Sequence, residues 1–153
     1  MKQIKANMFD FITPSSTGFI IYHGCNAQGK MDAGFAKQFR EAYPKAYNDY
    51  LFHLDGFCSP KEALGSVSIT NVNGLILASA ITQEYYGRKA EYVYADIEAI
   101  CNSLINTIGR HPNMTIHMPR VGCGLGGLSW GTVHDCLIEI ENEYNAEFVV
   151  WYL

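Results

Sequence analysis

Long apolar runs are missing from this chain. No stretch approaches the ~20 residues that a membrane-spanning helix needs, so no membrane contact is expected. Basic charge is scarce as well: 11 Lys and Arg stand against 15 Asp and Glu, a net charge of −4, and no run of them forms a stripe. That excludes an extended nucleic-acid surface, which needs clustered positive charge. Low-complexity tracts, internal repeats and linkers are absent, and with 48% hydrophobic against 17% charged residues no long segment is too polar to fold. Recognised metal-ligand spacing is also lacking. Neither His53 with Cys58 nor the run His134-Asp-Cys136 makes a zinc pattern, and neither a metal nor a cofactor is expected. The five cysteines (Cys25, Cys58, Cys101, Cys123 and Cys136) are odd in number and scattered. With no signal-like segment at the N-terminus, they read as reduced thiols of a cytoplasmic protein.

What is present suits one α/β domain over residues 1–153, expected to act as a monomer. Phe19–Tyr22, Leu75–Ala78, Thr115–Met118 and Phe148–Tyr152 are short apolar runs of the kind found in strands buried on both faces. Val67–Val72 alternates and, with Asn73-Gly74 behind it, predicts a hairpin into the Leu75 strand. Residues 2–6 add a possible edge strand. Phe35, Phe39 and Tyr43 mark one face of a helix from about Ala33, broken by Pro44 and followed by a short helix through Tyr50. Val93, Ile97, Ile100, Leu104 and Ile108 predict a further helix, and Val133, Leu137, Ile140 and Tyr144 a last one. This alternation predicts a central mixed sheet of about six strands covered by helices on both faces, a three-layer α/β/α fold. Ligands of such sheets bind outside the carboxyl ends of the strands.

Three segments fall there. The first, His23–Gly34, holds Gly24, Gly29 and Gly34, which permit positive φ, and free amides at the start of the following helix would face an anion. The second, Pro119–Trp130, contains the run Gly122-Cys-Gly-Leu-Gly-Gly127 between a strand and a helix, an arrangement suited to phosphate. It lacks the Gly-Lys-Ser/Thr of a Walker loop. Either loop alone is also a glycine-rich turn; two on one sheet edge favour an anionic ligand. The third, Ala80–Gly87, carries adjacent Tyr85 and Tyr86, which either stack on a ribose or base or cap the core.

Side chains able to move protons are few. His23 suits a general acid or base, or equally a satisfied histidine at a strand end. Asp32 is the acid of the first loop and suits water activation, a ribose contact or a helix N-cap. Cys25 and Cys123 lie in the loops with no assigned base.

These residues resemble a known family. Asn26-Ala-Gln-Gly-Lys-Met-Asp-Ala-Gly34, Pro119-Arg-Val-Gly-Cys-Gly-Leu125 and the downstream Trp130 are similar to motifs of the macrodomain, an ADP-ribose-binding module, and the likeness runs from Ile4 to Leu153. It is strongest to a small branch containing the yeast-type ADP-ribose-1''-phosphate phosphatase and the terminal ADP-ribose protein glycohydrolase. The resemblance implies that Asn7 and Met8 meet the adenine, with Leu153 nearby, and that Asn26 touches the distal ribose. Gly29, Lys30, Met31, Ala33 and Gly34 would close around that ribose. Gln83 would stand after the middle strand, and Arg120, Val121, Gly122, Cys123, Gly124, Leu125 and Gly126 would wrap the diphosphate. Where the glycohydrolase branch has a lysine and an aspartate, this chain has Gln83 and Gly126. That disfavours a Schiff-base route. Asp32 also departs from the glycine of most members.

The expected function is therefore ADP-ribose binding with phosphatase action on ADP-ribose-1''-phosphate, His23, Asn26 and Asp32 serving as the catalytic residues. The alternatives are removal of ADP-ribose from modified macromolecules or acyl esters, and binding without catalysis.

Overall fold

The computed structural model describes residues 1–153. Strands β1 (Lys2–Lys5), β2 (Ile20–Asn26), β3 (Val67–Val72), β4 (Leu75–Gln83), β5 (Thr115–Pro119) and β6 (Glu147–Tyr152) form one sheet in the order β1-β6-β5-β2-β4-β3. Only β3 runs antiparallel to its neighbour, paired with β4 through the expected hairpin, whose Asn73 and Gly74 have φ of 52° and 88°.

The central strands β2 and β4 are buried on both sides, so their successive side chains feed two separate cores. Ile20, Tyr22, Ile76 and Ala78 pack with α4 (Ile97–Arg110) and α5 (Trp130–Tyr144). Ile21, Leu75 and Leu77 pack on the opposite face with Phe39 of α1 (Gly34–Ala42), Tyr50 of α2 (Pro44–Asp55) and Ala63 of α3 (Pro60–Ala63). The three-layer α/β/α architecture is as expected, with a sixth strand at the suspected edge.

Several boundaries differ. Pro44 sits at the first position of α2, where its missing N–H costs nothing, and α2 continues to Asp55 instead of stopping near Tyr50. The short α3, capped by Ser59, has no counterpart in the apolar pattern. The helix expected from Val93 starts at Ile97, because the Asp96 side chain caps it by accepting from Ala99 N at 3.1 Å. Val93 lies in the preceding loop, exposed. Cys101 of α4 and Cys136 of α5 come sulfur to sulfur where the two helices pack, while Cys25, Cys58 and Cys123 stand apart. No helix is long and apolar enough to cross a membrane.

Candidate functional site

β2 and β5 share a ladder of only two residues, Ile20 opposite Ile116 and Ile21 opposite His117, whereas β2 stays paired with β4 as far as Gln83. A cleft of about 470 Å³ lies at the carboxyl ends of these central strands, and Asn26, Gln83 and Pro119, the last residues of β2, β4 and β5, all line it.

Its floor is set by β2 itself. The strand runs on to Asn26, so His23–Asn26 is strand and not loop, and Gly24 keeps no positive φ. That glycine is required by space: a Cβ there would come within 2.5 Å of Thr82 Oγ1 and 2.8 Å of a Val121 methyl. His23 borders the floor with its ring only 1% exposed, Nε2 against Ser79 Oγ at 2.9 Å and the ring 4.0 Å from that of Phe39. Burial lowers its pKa to about 3, so the imidazole is neutral at ordinary pH and already hydrogen-bonded. With Nε2 engaged by Ser79 and its ring against Phe39, His23 is held as part of the floor. Burial likewise pushes the Cys25 thiol up, which removes it as a thiolate.

The first wall is the segment from Ala27 to α1. Asn26 Oδ1 accepts from Gln28 N at 3.0 Å and Lys30 N at 3.3 Å, and its Nδ2 donates to Lys30 O at 2.8 Å. Tyr50 adds its hydroxyl to Asn26 O at 2.6 Å, and Tyr47 donates to Gly29 O at 3.0 Å. Asn26 is thus the staple of this loop. Gly29 and Gly34 adopt φ of 78° and 58°, as the glycine spacing suggested. Asp32 lines the cleft, exposed, and pairs with Arg40 at 3.3 Å, the guanidinium lying 4.1 Å over the Tyr47 ring. Asp32 is no N-cap. That position belongs to Ala33, which has no capping side chain, and the amides that open α1 (Gly34, Phe35 and Ala36) all border the cleft.

The opposite wall is the glycine run. Val121, Cys123, Gly127 and Leu128 donate their amides within the loop, to Pro119, Arg120, Gly124 and Gly122 carbonyls respectively. The amides of Gly122, Gly124, Leu125 and Gly126 make no such bond, and all four residues line the cleft. They form a nest of unclaimed donors. By contrast, the start of α5 is occupied: Ser129 Oγ accepts from Thr132 N at 3.3 Å. The helix terminus facing the cleft is therefore that of α1, while the second loop offers its own amides. Gly126 could not carry a side chain, since a Cβ would stand 2.7 Å from Gly122 O. Arg120 lies over Tyr152 at 4.0 Å and Trp130 at 4.9 Å, and donates to Gln3.

Of the residues expected at the site, Lys30, Asp32, Ala33, Gly34, Gln83, Arg120, Val121, Gly122, Gly124, Leu125 and Gly126 border the cleft together with Asn26. Asn7, Met8, Gly29, Met31, Cys123 and Leu153 do not. Asn7 instead caps the 3-10 turn Met8–Asp10 and donates to Gln38. Met8 and Met31 are buried in the α1/α2 core. Leu153 is 86% exposed. Sequence reasoning placed Thr82 and Gly87 in its third segment without giving either a role, and missed Arg88. Gly-Arg in a polar loop gives no local signal; only the β4–α4 connection, folded against both walls, brings Arg88 to the rim. Tyr86 lines the cleft, while Tyr85 points to a smaller groove beside it. No group of three or more His, Cys, Asp or Glu side chains could hold a metal ion.

Comparison with known proteins places this geometry. Over 160 residues the chain is 22% identical to an ADP-ribose 1''-phosphate phosphatase of Candida albicans, covering 98% of this chain and 99% of that protein. Its fold superposes on a Bacteroides thetaiotaomicron protein of unknown function with a TM-score of 0.83 and 24% identity, covering 99% of this chain and 97% of that one. Thermosipho africanus DarTG, solved in complex with ADP-ribose, gives a TM-score of 0.69 at 16% identity, covering 88% of this chain and 38% of that one. Residues 22–137 match the model of the Macro domain family, with the whole cleft from His23 to Gly126 inside the match. The chain belongs to the Macro domain family.

Proposed function

We propose that this protein binds ADP-ribose in the cleft and hydrolyses ADP-ribose-1''-phosphate to ADP-ribose and inorganic phosphate. The observation that carries the reading is that two sets of unclaimed amides, at the start of α1 and in the loop Gly122–Gly126, border one cleft. Backbone donors and a helix N-terminus hold phosphoryl oxygens without side-chain charge, which suits a chain of net charge −4. The cavity falls within the ~300–1,000 Å³ of ordinary small-molecule sites. The full-length alignment with a protein named for this phosphatase activity supports the finer reading.

Asp32 is the one carboxylate among the lining residues. In this scheme it takes a proton from a water whose oxygen attacks phosphorus. The bond from phosphorus to the 1'' oxygen breaks, and that oxygen leaves with the electron pair and is protonated by solvent. The amides stabilise the charge that develops on the phosphoryl oxygens. Asn26 acts through the loop it staples, and His23 only shapes the floor. The pair with Arg40 is exposed and weak, so it leaves Asp32 able to turn.

Phosphate release from ADP-ribose-1''-phosphate tests the reading. Asp32→Ala should cost on the order of 10²-fold in turnover while calorimetry still detects ADP-ribose binding. A second reading, binding without catalysis, is favoured by the scarcity of proton-handling groups at the cleft. Tight binding with no phosphate released would select it. Absence of binding would sink both.

A further inference from the structure

The charges at the cleft do not balance once the loops are satisfied. Its lining holds three cations, Lys30, Arg88 and Arg120, and one carboxylate, Asp32. Arg120 is engaged by Tyr152, Trp130 and Gln3, and Asp32 is met by Arg40 from outside the lining. Neither Lys30 nor Arg88 forms an ion pair with any group of the chain. The unclaimed amides already suffice for a diphosphate, so these two cations are in excess of what a diphosphate needs.

Arg88 is also carried on a fixed frame. At one end of its segment Glu84 O accepts from Ala27 N at 3.1 Å and Tyr86 N donates to Gln28 Oε1 at 3.0 Å. At the other, Tyr94 N and Ala95 N both donate to Gly126 O, at 2.9 and 3.0 Å. Gly87 lies against the Tyr94 ring so closely that a Cβ would collide with it. The connection is tied to both walls of the cleft and brings Arg88 to the rim between them.

We infer that Arg88, with Lys30, is a specificity-determining residue that selects ligands carrying an anionic group beyond the diphosphate. The inference rests on the nucleotide reading above. A guanidinium engages a phosphoryl group in two parallel hydrogen bonds, and a phosphate monoester adds about −1.5 to −2 charges at neutral pH. A neutral acyl ester at the same position gains nothing from it.

Calorimetry with ADP-ribose and with ADP-ribose-1''-phosphate in an Asp32→Ala background, which leaves the ester intact, tests this at low and high ionic strength. That background should prefer the phosphate ester by about tenfold or more at low salt, with the preference shrinking as salt rises. Arg88→Gln should remove much of that preference while moving ADP-ribose affinity by no more than about twofold; Arg88→Lys should restore part of it. An equal loss for both ligands would make Arg88 a diphosphate or framework residue and overturn the inference, as would no loss for either. If wild type binds neither nucleotide, the functional reading itself fails. Circular dichroism of each variant separates misfolding from lost contacts.

Discussion

His23 shows how a residue changes meaning between sequence and fold. In the sequence it sits among glycine, cysteine and asparagine, a setting that reads as a loop. In the structure those four residues complete a buried strand, and the ring packs on Phe39 with Ser79 as its partner. Nothing local announces this, because the burial comes from Phe35 and Phe39 of α1 and from Ser79 of β4. The folded pKa of about 3 lies below the unfolded 6.5, so the unfolded chain binds the extra proton between these values. Stability contributed by neutral His23 is therefore complete above about pH 6.5 and lost as pH falls toward 3. Burial lowers His53 and His117 in the same sense. Thermal melts from pH 7 to pH 4 should show Tm falling with acidification. The slope should be shallower in His23→Gln, and an unchanged slope would mean that the histidine is not held neutral. Gly126 gives a second prediction. Gly126→Asp restores the residue type of the glycohydrolase branch, but its Cβ would meet Gly122 O at 2.7 Å. It should lower stability by ~1–3 kcal/mol and weaken ADP-ribose binding rather than install a catalytic group, which denaturant titration and calorimetry would reveal together.

Among the elements, α1 is the one whose uncapped start borders the cleft. Helices α3, α4 and α5 are each capped by a side chain, Ser59, Asp96 or Ser129, whereas Ala33 leaves the first amides of α1 unclaimed. Ala33 already has extended backbone at φ −146° and ψ 156°, as an N-cap requires. Ala33→Asp should therefore stabilise the free protein by ~0.5–1 kcal/mol through capping and weaken ADP-ribose binding by tenfold or more by claiming the same donors. A stability gain with unchanged affinity would detach the α1 terminus from the ligand. The start of α1 was legible to within a residue, because the aromatic spacing and the glycines bracket it. The start of α4 was not. Val93 fits the helical spacing, but Tyr94 and Ala95 donate to Gly126 O some thirty residues away, and that remote acceptor holds the segment outside the helix. Periodicity reports what a segment buries and is silent on which distant carbonyl claims its amides.

For the molecule as a whole, the layers were legible and the pocket only partly so. Buried runs and amphipathic spacing fix two cores on one sheet. The two glycine loops then fall at the carboxyl ends of neighbouring strands, and the cleft follows. The residues that motif likeness assigns to adenine stand outside the lining of the cleft: Asn7 caps its own turn and donates to Gln38, and Leu153 projects into solvent. Because ligand would claim amides that are otherwise unclaimed, binding should register globally. ADP-ribose at a hundred times Kd should add ~2.7 kcal/mol, roughly 5–10 °C in Tm for a chain of this size. Scanning calorimetry with and without nucleotide measures it directly.

Recognition through main-chain donors has a consequence for how such a sequence can drift. Every residue but proline carries the same peptide N–H, so any other substitution changes the room around the contact and not the donor itself. The glycine run is graded in this respect. At Gly124 an added methyl would meet nothing within 4 Å, and its φ is not positive. At Gly122 and Gly127 φ is 75° and 83° and neighbours press close, while Gly126 is blocked by its own loop. Substitutions should accumulate at the first position and be purged from the other three. Most of the pocket is then free to change its chemistry while the main-chain donors of the loop stay in place.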